Sequence, residues 1–546
     1  DYYASRGLGD VYKRQVYISW RSVDWRQINM TFKDKVIYQI YPKSYRDSNG
    51  DGIGDLAGIK EKLPYLHELG IDMIWLNPIY PSPQKDNGYD ISNYIAIDPL
   101  FGTMEEFESL VAEAKSYQIE IMLDMVLNHV SIEHEWFQKA LAGDPFYQDF
   151  FILRDEPTDW ISKFGGNAWA PFGDTGKYYL HLYDKTQADL NWRNEAVQEE
   201  LFKVVRFWMS KGVKGFRFDV INVIGKDEVL KNNSENQGKP EYTDKPITHT
   251  YLQRLNKETF GQDAEIITVG EMSSTTVENC ILYTEPSRNE LSMVFNFHHL
   301  KVDYENGDKW TTPPFDFEEL KRLFHTWGEE MSAGNGWNAL FLNNHDQPRA
   351  LNRFVAVDAY RKQGAEMLAT MIHLNRGTPY IYMGEEIGMI DPDFDSVADY
   401  VDIECLNAYQ LLLEKGLSEK EAFRRIKAKS RDNSRTPMQW TAGENAGFTL
   451  GKPWLKVAES YGDINVEKEL ASPQSIFNYY QKLIRLRKQY PVISLGSYQA
   501  YQPEHPQVYS FLRQYEEKKV IVFTNFYGKE TVSYTHLRAH ETRSNL

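Results

Sequence analysis

Eight short runs of β-branched and aromatic residues alternate with longer stretches of helical character along most of this chain. The runs occupy residues 35–40, 73–78, 119–127, 215–220, 265–272, 292–297, 338–344 and 379–384. Alternation of this kind indicates strand–helix units, because each helix carries the chain back so that the next strand lies parallel to the last. Eight such units predict a (β/α)₈ barrel, the TIM barrel of the α/β class.

The chain is longer than the roughly 250 residues that such a barrel takes, so further domains are expected. A long segment separates the third run from the fourth, and much of it is rich in Trp, Gly, Asp and Pro without helical periodicity. After a helix predicted around residues 475–490, KVIVFTNFYG predicts an antiparallel strand. The predicted boundaries are 30–129 and 194–490 for the barrel, 130–193 for an inserted domain B after strand 3, and 491–533 for a C-terminal antiparallel β domain.

Both ends of the chain differ from what lies between them. The segments DYYASRGLGDVYKRQ and VSYTHLRAHETRSNL share no periodicity with their neighbours, and both resemble translated sequencing adapters. We expect residues 1–29 to be foreign or disordered, residues 534–546 to be a foreign tail, and the natural chain to begin at Met30. The C-terminal β domain would then be incomplete, with an unpaired sheet edge.

Charge and cysteine content limit the classes of function. A formal net charge of −17 disfavours nucleic-acid binding, because such binding depends on Lys and Arg neutralising phosphates. Cys280 and Cys405 form no C-x-x-C pair, so we expect a reducing compartment and no disulfide framework. The sequence has no run of eighteen apolar residues and no recognisable secretion signal. We therefore expect a soluble, cytoplasmic protein without a membrane or an obligate protein partner.

Polar residues close four of the predicted strands. In a (β/α)₈ barrel the C-terminal ends of the strands converge on one mouth, where the chemistry of these enzymes takes place. A lone Asp at a strand end fits a structural ion pair as well as catalysis, but four polar strand ends favour a functional site. They are Asp124, Asn128 and His129 after strand 3, Arg217 and Asp219 after strand 4, Glu271 after strand 5, and His345 and Asp346 after strand 7.

Two of these carboxyl groups fit glycoside cleavage with retention. That reaction needs one carboxylate to attack the anomeric carbon and one carboxylic acid, about 5 to 5.5 Å away, to protonate the leaving oxygen. Asp219 and Glu271, on adjacent strands, could form the pair. Arg217 lies on the same strand face as Asp219 and would keep it ionised, whereas Glu271 needs a raised pKa to hold its proton. Opposite surroundings would assign the two groups opposite roles.

Four segments resemble the conserved regions of glycoside hydrolase family 13: DMVLNHVS (124–131), GFRFDVIN (215–222), TVGEM (268–272) and FLNNHDQPR (341–349). The resemblance covers roughly residues 33–530. It implies that Asp219 is the nucleophile, Glu271 the general acid/base and Asp346 a third carboxylate that holds sugar hydroxyls. It further implies that His129 and His345 bind glucose in the first subsite. Asp90 in NGYD and Arg431 in KSRDNSRTPMQW resemble a charged pair that closes the pocket, which implies exo-action on a terminal glucose.

The segment DSNGDGIGD (47–55) alternates oxygen ligands in the manner of a calcium loop, although it lacks the glutamate at position twelve of an EF-hand. The alternative is a Gly- and Asp-rich turn that binds no metal. Resemblance to the calcium-bearing oligo-1,6-glucosidase subgroup favours a structural Ca²⁺. No cofactor is expected for catalysis, since two carboxyl groups perform it. The expected calcium ligands are Asp47, Asn49, Asp51, the Ile53 carbonyl and Asp55.

The segment 272–310 resembles the corresponding stretch of trehalose-6-phosphate hydrolases, with FHHLK at its core. Oligo-1,6-glucosidases carry an acidic residue before the second histidine, where this chain has His298. Imidazole in place of a carboxylate would remove repulsion toward a phosphate. His298, Lys301 and Lys309 could offer charge-assisted hydrogen bonds to it, or could simply satisfy loop carbonyls and solvent. We therefore expect hydrolysis of trehalose 6-phosphate, a small sugar phosphate, to glucose and glucose 6-phosphate.

Two other functions remain open at this point. An oligo-1,6-glucosidase or dextran glucosidase acting on isomaltose-type chains would share every catalytic residue, and Val220 after the nucleophile is compatible with α-1,6 or trehalose-type linkages. A buried strand Val is also expected on packing grounds. The family further resembles non-catalytic heavy chains of amino-acid transporters, but this chain keeps all three carboxylates and has no apolar span.

Overall fold

The computed structural model describes residues 17–18 and 32–529, and its centre is a barrel of eight parallel strands. Each strand lies within, or overlaps, one of the eight runs predicted from the sequence, so the barrel prediction is confirmed. The strands are β1 Ile37–Ile40, β2 Met73–Leu76, β3 Glu120–Met125, β4 Gly215–Phe218, β5 Ile267–Glu271, β6 Met293–Phe295, β7 Ala339–Leu340 and β8 Thr378–Tyr382.

Parallel ladders join these strands in sequence order, and β8 pairs with β1. A single parallel bridge between Val294 and Asn338 links β6 to the start of β7 and closes the ring. The interior is filled by large side chains, among them Trp75, Phe295 and Tyr380. The barrel is therefore a packed core, and its chemistry is confined to the strand ends.

Helices surround the sheet and bury their apolar faces against it. The helix Glu195–Ser210 shows why: Asn194 caps its first turn, and Leu201, Val205 and Trp208 recur on one face at helical spacing. The α-helices outside domain B are Leu56–Glu61, Leu63–Leu69, Met104–Ser116, Glu195–Ser210, Pro246–Glu258, Val277–Thr284, Phe317–Ala333, Ala350–Phe354, Val357–His373, Ile403–Glu414, Glu419–Lys429, Asp432–Arg435, Val466–Ala471, Ile476–Gln489 and Pro491–Ser494.

The segment between β3 and β4 forms small irregular sheets. Its helices are Glu135–Leu141 and Pro145–Gln148, and its strands are His129–Ser131, Leu153–Arg154, Trp169–Pro171, Tyr178–Leu180 and Gln187–Asp189. The first and last strands pair with each other, so both ends of the insertion return to the mouth of the barrel. This arrangement agrees with an inserted domain B, whose exact boundaries stay a prediction.

The C-terminal part is an antiparallel sheet of strands Ser497–Ala500, Val508–Tyr515 and Lys518–Asn525, to which Tyr17–Ile18 adds a short fourth strand. The helix predicted around 475–490 is present as Ile476–Gln489. Residues 1–16, 19–31 and 530–546 lie outside the described residues, so the predictions of foreign ends and of an incomplete last domain stay predictions. Among the described residues, no helix has the length and apolarity that a membrane crossing requires.

Candidate active site

Arg217 on β4 contacts three carboxyl groups at the mouth of the barrel. Its Nη1 donates to Asp124 Oδ1 and to Asp219 Oδ1, each at 2.6 Å, and its Nη2 donates to Glu271. The strand register explains the geometry, because Arg217 pairs with Asp124 of β3 and neighbours β5, which ends at Glu271. The guanidinium also lies 5.3 Å from the Trp75 ring centre, above the barrel core. Arg217 and Asp219 thus lie on the same strand face, as predicted, whereas the part of Arg217 in keeping Asp219 ionised stays a prediction.

The surroundings of Glu271 favour its protonated form. Burial raises its pKa well above the usual range, and the nearby negative charges of Asp219 and Asp346 add to the rise, against the opposing effect of Arg217. Glu271 also shares a hydrogen bond with Asp219. A protonated acid beside a carboxylate held by arginine is the pairing that retention requires. The predicted rise in the Glu271 pKa is confirmed in direction.

Asp346 is held as a carboxylate by its neighbours. Its Oδ1 lies 2.8 Å from Arg435 Nη2 and 3.4 Å from Arg431 Nη1. Burial alone would raise its pKa, but His345 and these two guanidinium groups outweigh burial and lower it. The Asp346 side chain is 27% exposed, against 2% for Arg217, so it keeps a free edge toward the pocket.

His345 lies between two charge clusters. The Arg217 cluster consists of Arg217, Asp124, Asp219 and Glu271, and the Asp346 cluster consists of Asp346, Arg431 and Arg435. Gln39 Nε2 lies 2.9 Å from its Nδ1, which makes Nδ1 the acceptor and places the ring proton on Nε2. That Nε2 lies 2.7 Å from the Tyr89 hydroxyl and 3.1 Å from Asp346 Oδ2. Burial lowers the pKa of His345 to about 3, so the ring is neutral at neutral pH and serves as a hydrogen-bond donor.

Tyr89 is a site residue that sequence reasoning missed. Its hydroxyl donates to Asp124 Oδ2 at 3.0 Å, and its ring stacks on His345 with centroids 5.4 Å apart. It thereby connects the Arg217 cluster to the Asp346 cluster. The signal was its position beside Asp90 in NGYD, the same loop that the sequence assigned to the pocket.

The predicted pairing of Asp90 with Arg431 is wrong. Asp90 is fully buried and accepts hydrogen bonds from Ser82 Oγ and from the backbone N–H groups of Lys85 and Asp86. These bonds fold the loop so that Asp86 faces Arg431 instead, at 3.3 Å. Arg431 also pairs with Asp402, Asp346 and Glu404. The charged closure of the pocket therefore exists, but with Asp86 and Asp402 as the acidic partners.

His129 lies where domain B leaves the barrel. Its Nε2 is 3.1 Å from the Tyr89 carbonyl oxygen, so this nitrogen carries the ring proton. Burial lowers its pKa, against the effects of Asp219 and Asp189. Its ring centroid is 5.3 Å from that of Tyr183. The residue is thus placed beside the pocket, as predicted, while glucose binding by it stays a prediction.

Val220, directly after Asp219, has a strained backbone. Its φ of 38° and ψ of 40° lie in the left-handed region, which a β-branched residue rarely adopts. The strand ends here, and the short helix Ile221–Val223 turns the chain away. Strain of this kind is characteristic of functional sites, where surrounding structure holds the outlier in place.

A loop of domain B covers the pocket from the side opposite the barrel. Phe164 lies 5.5 Å from the Arg431 guanidinium and 5.6 Å from the Tyr183 ring. Ser162 fixes the loop by donating to the Tyr183 carbonyl at 2.6 Å. Sequence reasoning did not find this loop, because residues 162–166 show neither periodicity nor a charged motif.

The loop 47–55 is ordered by its own acidic side chains. Asp47 accepts hydrogen bonds from the backbone of Asn49, Gly50 and Gly52 at 2.7 to 2.9 Å, and one from the Thr449 hydroxyl. Burial would raise the pKa of Asp47, but these bonds outweigh it and lower the pKa. Carboxylate, amide and carbonyl oxygens are the ligand types that Ca²⁺ prefers. Among the described residues, however, no three acidic, histidine or cysteine side chains converge as a metal site.

The predicted phosphate ligands differ in their surroundings. His298 Nε2 lies 2.9 Å from the Thr275 carbonyl, so it donates its ring proton to the loop that follows Glu271. Burial lowers its pKa further below neutrality. Lys309 forms an ion pair with Glu404 at 2.6 Å, and the negative charge of Glu404 compensates the positive charge of Lys309. Lys301, by contrast, is exposed at the end of the short helix His298–Leu300.

Comparisons with known proteins agree with this geometry. The sequence matches the family described as alpha amylase, catalytic domain, over residues 39–496. It is 50% identical over 506 residues to trehalose-6-phosphate hydrolase of Bacillus subtilis (strain 168), covering 91% of this chain and 90% of the relative. It is 46% identical over 514 residues to oligo-1,6-glucosidase of Parageobacillus thermoglucosidasius, covering 92% and 91%. The crystal structure of Bacillus licheniformis trehalose-6-phosphate hydrolase matches with a TM-score of 0.89 and 52% identity, covering 92% of both chains.

Proposed function

Because this chain belongs to the alpha-amylase family, glycoside hydrolase family 13, we propose that it is a retaining, exo-acting α-glucosidase that hydrolyses trehalose 6-phosphate to glucose and glucose 6-phosphate. One observation carries the chemistry: Arg217 contacts Asp219 and Glu271 at adjacent strand ends. Similarity to two relatives that are named trehalose-6-phosphate hydrolase supports the choice of substrate.

The first half-reaction forms a covalent intermediate. Asp219 attacks the anomeric carbon of the terminal glucose, and Glu271 gives its proton to the bridging oxygen. The bond from that carbon to the bridging oxygen breaks. Glucose 6-phosphate leaves with the bridging oxygen, which the proton from Glu271 has converted to a hydroxyl group. The raised pKa of Glu271 keeps this proton available at neutral pH.

The second half-reaction returns both groups to their starting state. Glu271, now ionised, takes a proton from water, and the water oxygen attacks the anomeric carbon. The ester bond to Asp219 breaks and glucose leaves with its configuration retained. Asp346, lowered in pKa by Arg431 and Arg435, stays a carboxylate throughout and can accept hydrogen bonds from sugar hydroxyls.

The blind end of the pocket supports exo-action. Arg431 joins Asp346 to Asp86 and Asp402, and Phe164 packs over its guanidinium. Charged groups that bind each other across the floor leave no passage for a longer chain beyond the terminal glucose. One glucosyl unit therefore enters and the remainder of the substrate faces the opening.

Calcium and location belong to the same proposal. Asp47, Asn49, Asp51, Asp55 and the Ile53 carbonyl would hold a Ca²⁺ that stabilises the loop, because hard oxygen ligands suit this ion. A substrate that carries a phosphate does not cross membranes unaided, so we place the enzyme in the cytoplasm. Glucose 6-phosphate is released there without further transport.

The test is release of glucose from trehalose 6-phosphate and from isomaltose, measured side by side on protein that starts at Met30. A strong preference for trehalose 6-phosphate is expected. Preference for isomaltose would contradict the substrate and leave an oligo-1,6-glucosidase, the alternative that the second relative represents. Absence of turnover on both would contradict the enzyme itself.

A substitution sharpens this test. His298→Glu restores an acidic group beside Lys301, and repulsion should raise the KM for trehalose 6-phosphate far more than the KM for isomaltose. His298→Gln is the matched control, since it keeps a hydrogen-bond donor toward the Thr275 carbonyl without adding charge. Equal effects of His298→Glu on both substrates would count against a phosphorylated aglycone.

A further inference from the structure

Three lysines lie on separate segments that meet at the loop that follows Glu271. Lys163 lies on the domain B loop that covers the pocket, Lys239 follows β4, and Lys301 follows β6. The Ile161 N–H donates to the Gln237 carbonyl at 3.3 Å, which places the segment of Lys239 against the segment of Lys163. His298 Nε2 lies 2.9 Å from the Thr275 carbonyl, which places the segment of Lys301 against the loop that contains Ser273. The three lysines repel one another in this arrangement, as the lowered pKa values of Lys163 and Lys301 reflect after burial. Among the described residues, none of the three forms an ion pair with Asp or Glu. The cluster is therefore electrostatically uncompensated.

Hydrogen bonds place this lysine cluster next to the leaving-group side of the site. Lys163 Nζ donates to Ser273 Oγ at 3.1 Å, and Ser273 is two residues beyond Glu271. The backbone of Ser273 is fixed in turn by Asn222, whose amide bonds to its N–H and its carbonyl. Lys163 also lies 5.2 Å from the centre of the Tyr242 ring. An anion bound here would lie close to the proton that Glu271 delivers.

Three like charges in one place are unfavourable without an anion. Burial lowers the pKa of Lys163 to about 7, and repulsion from Lys239 and Lys301 adds to the effect. The chain has 78 acidic residues against 61 Lys and Arg, so partners for neutralisation are plentiful. Nearby Lys309 does have such a partner, Glu404. Lys239 and Lys301 are exposed and Lys163 is half-buried, so all three can be reached by an anion that enters from the opening.

We propose that Lys163 and Lys239 join Lys301 in binding the phosphate of the leaving sugar, so that domain B takes part in recognising the phosphorylated half of the substrate. This inference rests on the proposed function and assigns its specificity to residues beyond the FHHLK segment. A phosphate dianion accepts several charge-assisted hydrogen bonds at once, which three separate ammonium groups can supply. His298 then has a supporting part, because its ring proton is used by Thr275.

The experiment compares Lys163→Gln and Lys239→Gln with Lys177→Gln. Lys177 is an exposed lysine on the turn between Trp169–Pro171 and Tyr178–Leu180, so it controls for loss of one charge from domain B. Each enzyme is assayed with trehalose 6-phosphate and with 4-nitrophenyl α-glucoside, which has no phosphate. The measured quantity is the KM for trehalose 6-phosphate divided by the KM for 4-nitrophenyl α-glucoside. We expect this KM ratio to rise roughly tenfold or more for each cluster variant, as loss of one charged hydrogen bond implies. Lys177→Gln should leave the KM ratio unchanged. Lys163→Arg, which keeps the positive charge, should have a KM ratio close to that of the unaltered enzyme.

A second measurement reports on phosphate directly. Glucose 6-phosphate should inhibit hydrolysis of 4-nitrophenyl α-glucoside competitively. Its inhibition constant should rise in Lys163→Gln and Lys239→Gln by about the same factor as the KM ratio. If Lys163 acted only by supporting Ser273, Lys163→Gln would slow both substrates equally and the ratio would stay constant, which would overturn the inference. If the unaltered enzyme itself showed no preference for trehalose 6-phosphate, the proposed function would fail first, and the two failures are thus distinguishable.

Discussion

Lys226 links the barrel to domain B through a buried ion pair, and its removal should destabilise the protein strongly. Its Nζ lies 2.8 Å from Asp189 Oδ2 and 2.7 Å from Asn128 Oδ1, with side-chain exposures of 3% for Lys226 and 0% for Asp189. Lys226→Met removes the cation but leaves the Asp189 carboxylate buried. Asp189 would keep two hydrogen bonds, from the Leu182 N–H and from Asn128 Nδ2. Loss of one partner of a buried pair costs about 3 to 5 kcal/mol.

Differential scanning calorimetry measures this effect. The unfolding entropy of a chain of 546 residues makes 1 kcal/mol equivalent to roughly 1 °C, so Lys226→Met should lower the Tm by about 3 to 5 °C. Lys245→Met is the matched control: Lys245 pairs with Asp227 at 2.7 Å, but Asp227 is 46% exposed. A surface pair of this kind contributes at most about 1 kcal/mol, so the control should shift the Tm by about 1 °C or less.

Asp189→Asn completes a double-mutant cycle. Once Lys226 is methionine, replacing the uncompensated carboxylate by an amide should recover part of the lost stability, which makes the double variant more stable than the sum of the single effects. A coupling energy of at least about 2 kcal/mol is expected. The reasoning would be refuted if Lys226→Met shifted the Tm no more than Lys245→Met, since the buried pair would then contribute no more than a surface pair.

Four further predictions concern the active site and the loop 47–55. Asp219→Asn should abolish glucose release from trehalose 6-phosphate because an amide cannot form the glycosyl ester; ordinary activity would contradict the assignment of the nucleophile. Glu271→Gln should slow the same substrate by roughly 10² to 10⁴-fold, but should slow formation of the glycosyl-enzyme from 2,4-dinitrophenyl α-glucoside far less, since that leaving group needs no proton. In the unaltered enzyme, kcat/KM should fall on the alkaline side as Glu271 loses its proton, above the ordinary glutamate range, and Glu271→Gln should lack that limb with the activated substrate. Removal of Ca²⁺ with EGTA should lower the Tm, with about 2.7 kcal/mol regained at a Ca²⁺ concentration of 100 Kd, and Asp51→Asn should abolish the response; a Tm indifferent to EGTA would leave the loop without a metal role.

The barrel and its polar strand ends could be predicted because strand periodicity fixes both. Side chains alternate along a strand, so Arg217 and Asp219 had to share a face, and parallel strands of one barrel end at one mouth. The contacts among Arg217, Asp219 and Glu271 follow from these two rules and the register. Here the sequence needs no loop conformation to indicate the geometry.

Partners in loops could not be predicted in the same way. Asp86 and Asp90 lie four residues apart, and which of them meets Arg431 depends on where the hydrogen bonds of the turn go. The backbone N–H groups of Lys85 and Asp86 bind Asp90, and that choice turns Asp86 outward. Spacing in the sequence carries no information about it. Lys163 could not be predicted for the same reason, because only the fold brings it next to Ser273.

This contrast separates two parts of the site that are built differently. The glucose end rests on strand termini that the barrel holds rigidly, whereas the leaving-group end is formed by loops after β4 and β6 and by domain B. Loop residues can change without disturbing the packed barrel, because their side chains face the opening. Two relatives of nearly equal similarity to this chain, at 50% and 46% identity, carry the names of different substrates. A shared catalytic end with a different leaving-group end would account for that pattern, and in this chain the proposed phosphate site of Lys163, Lys239 and Lys301 lies in that second, loop-built part.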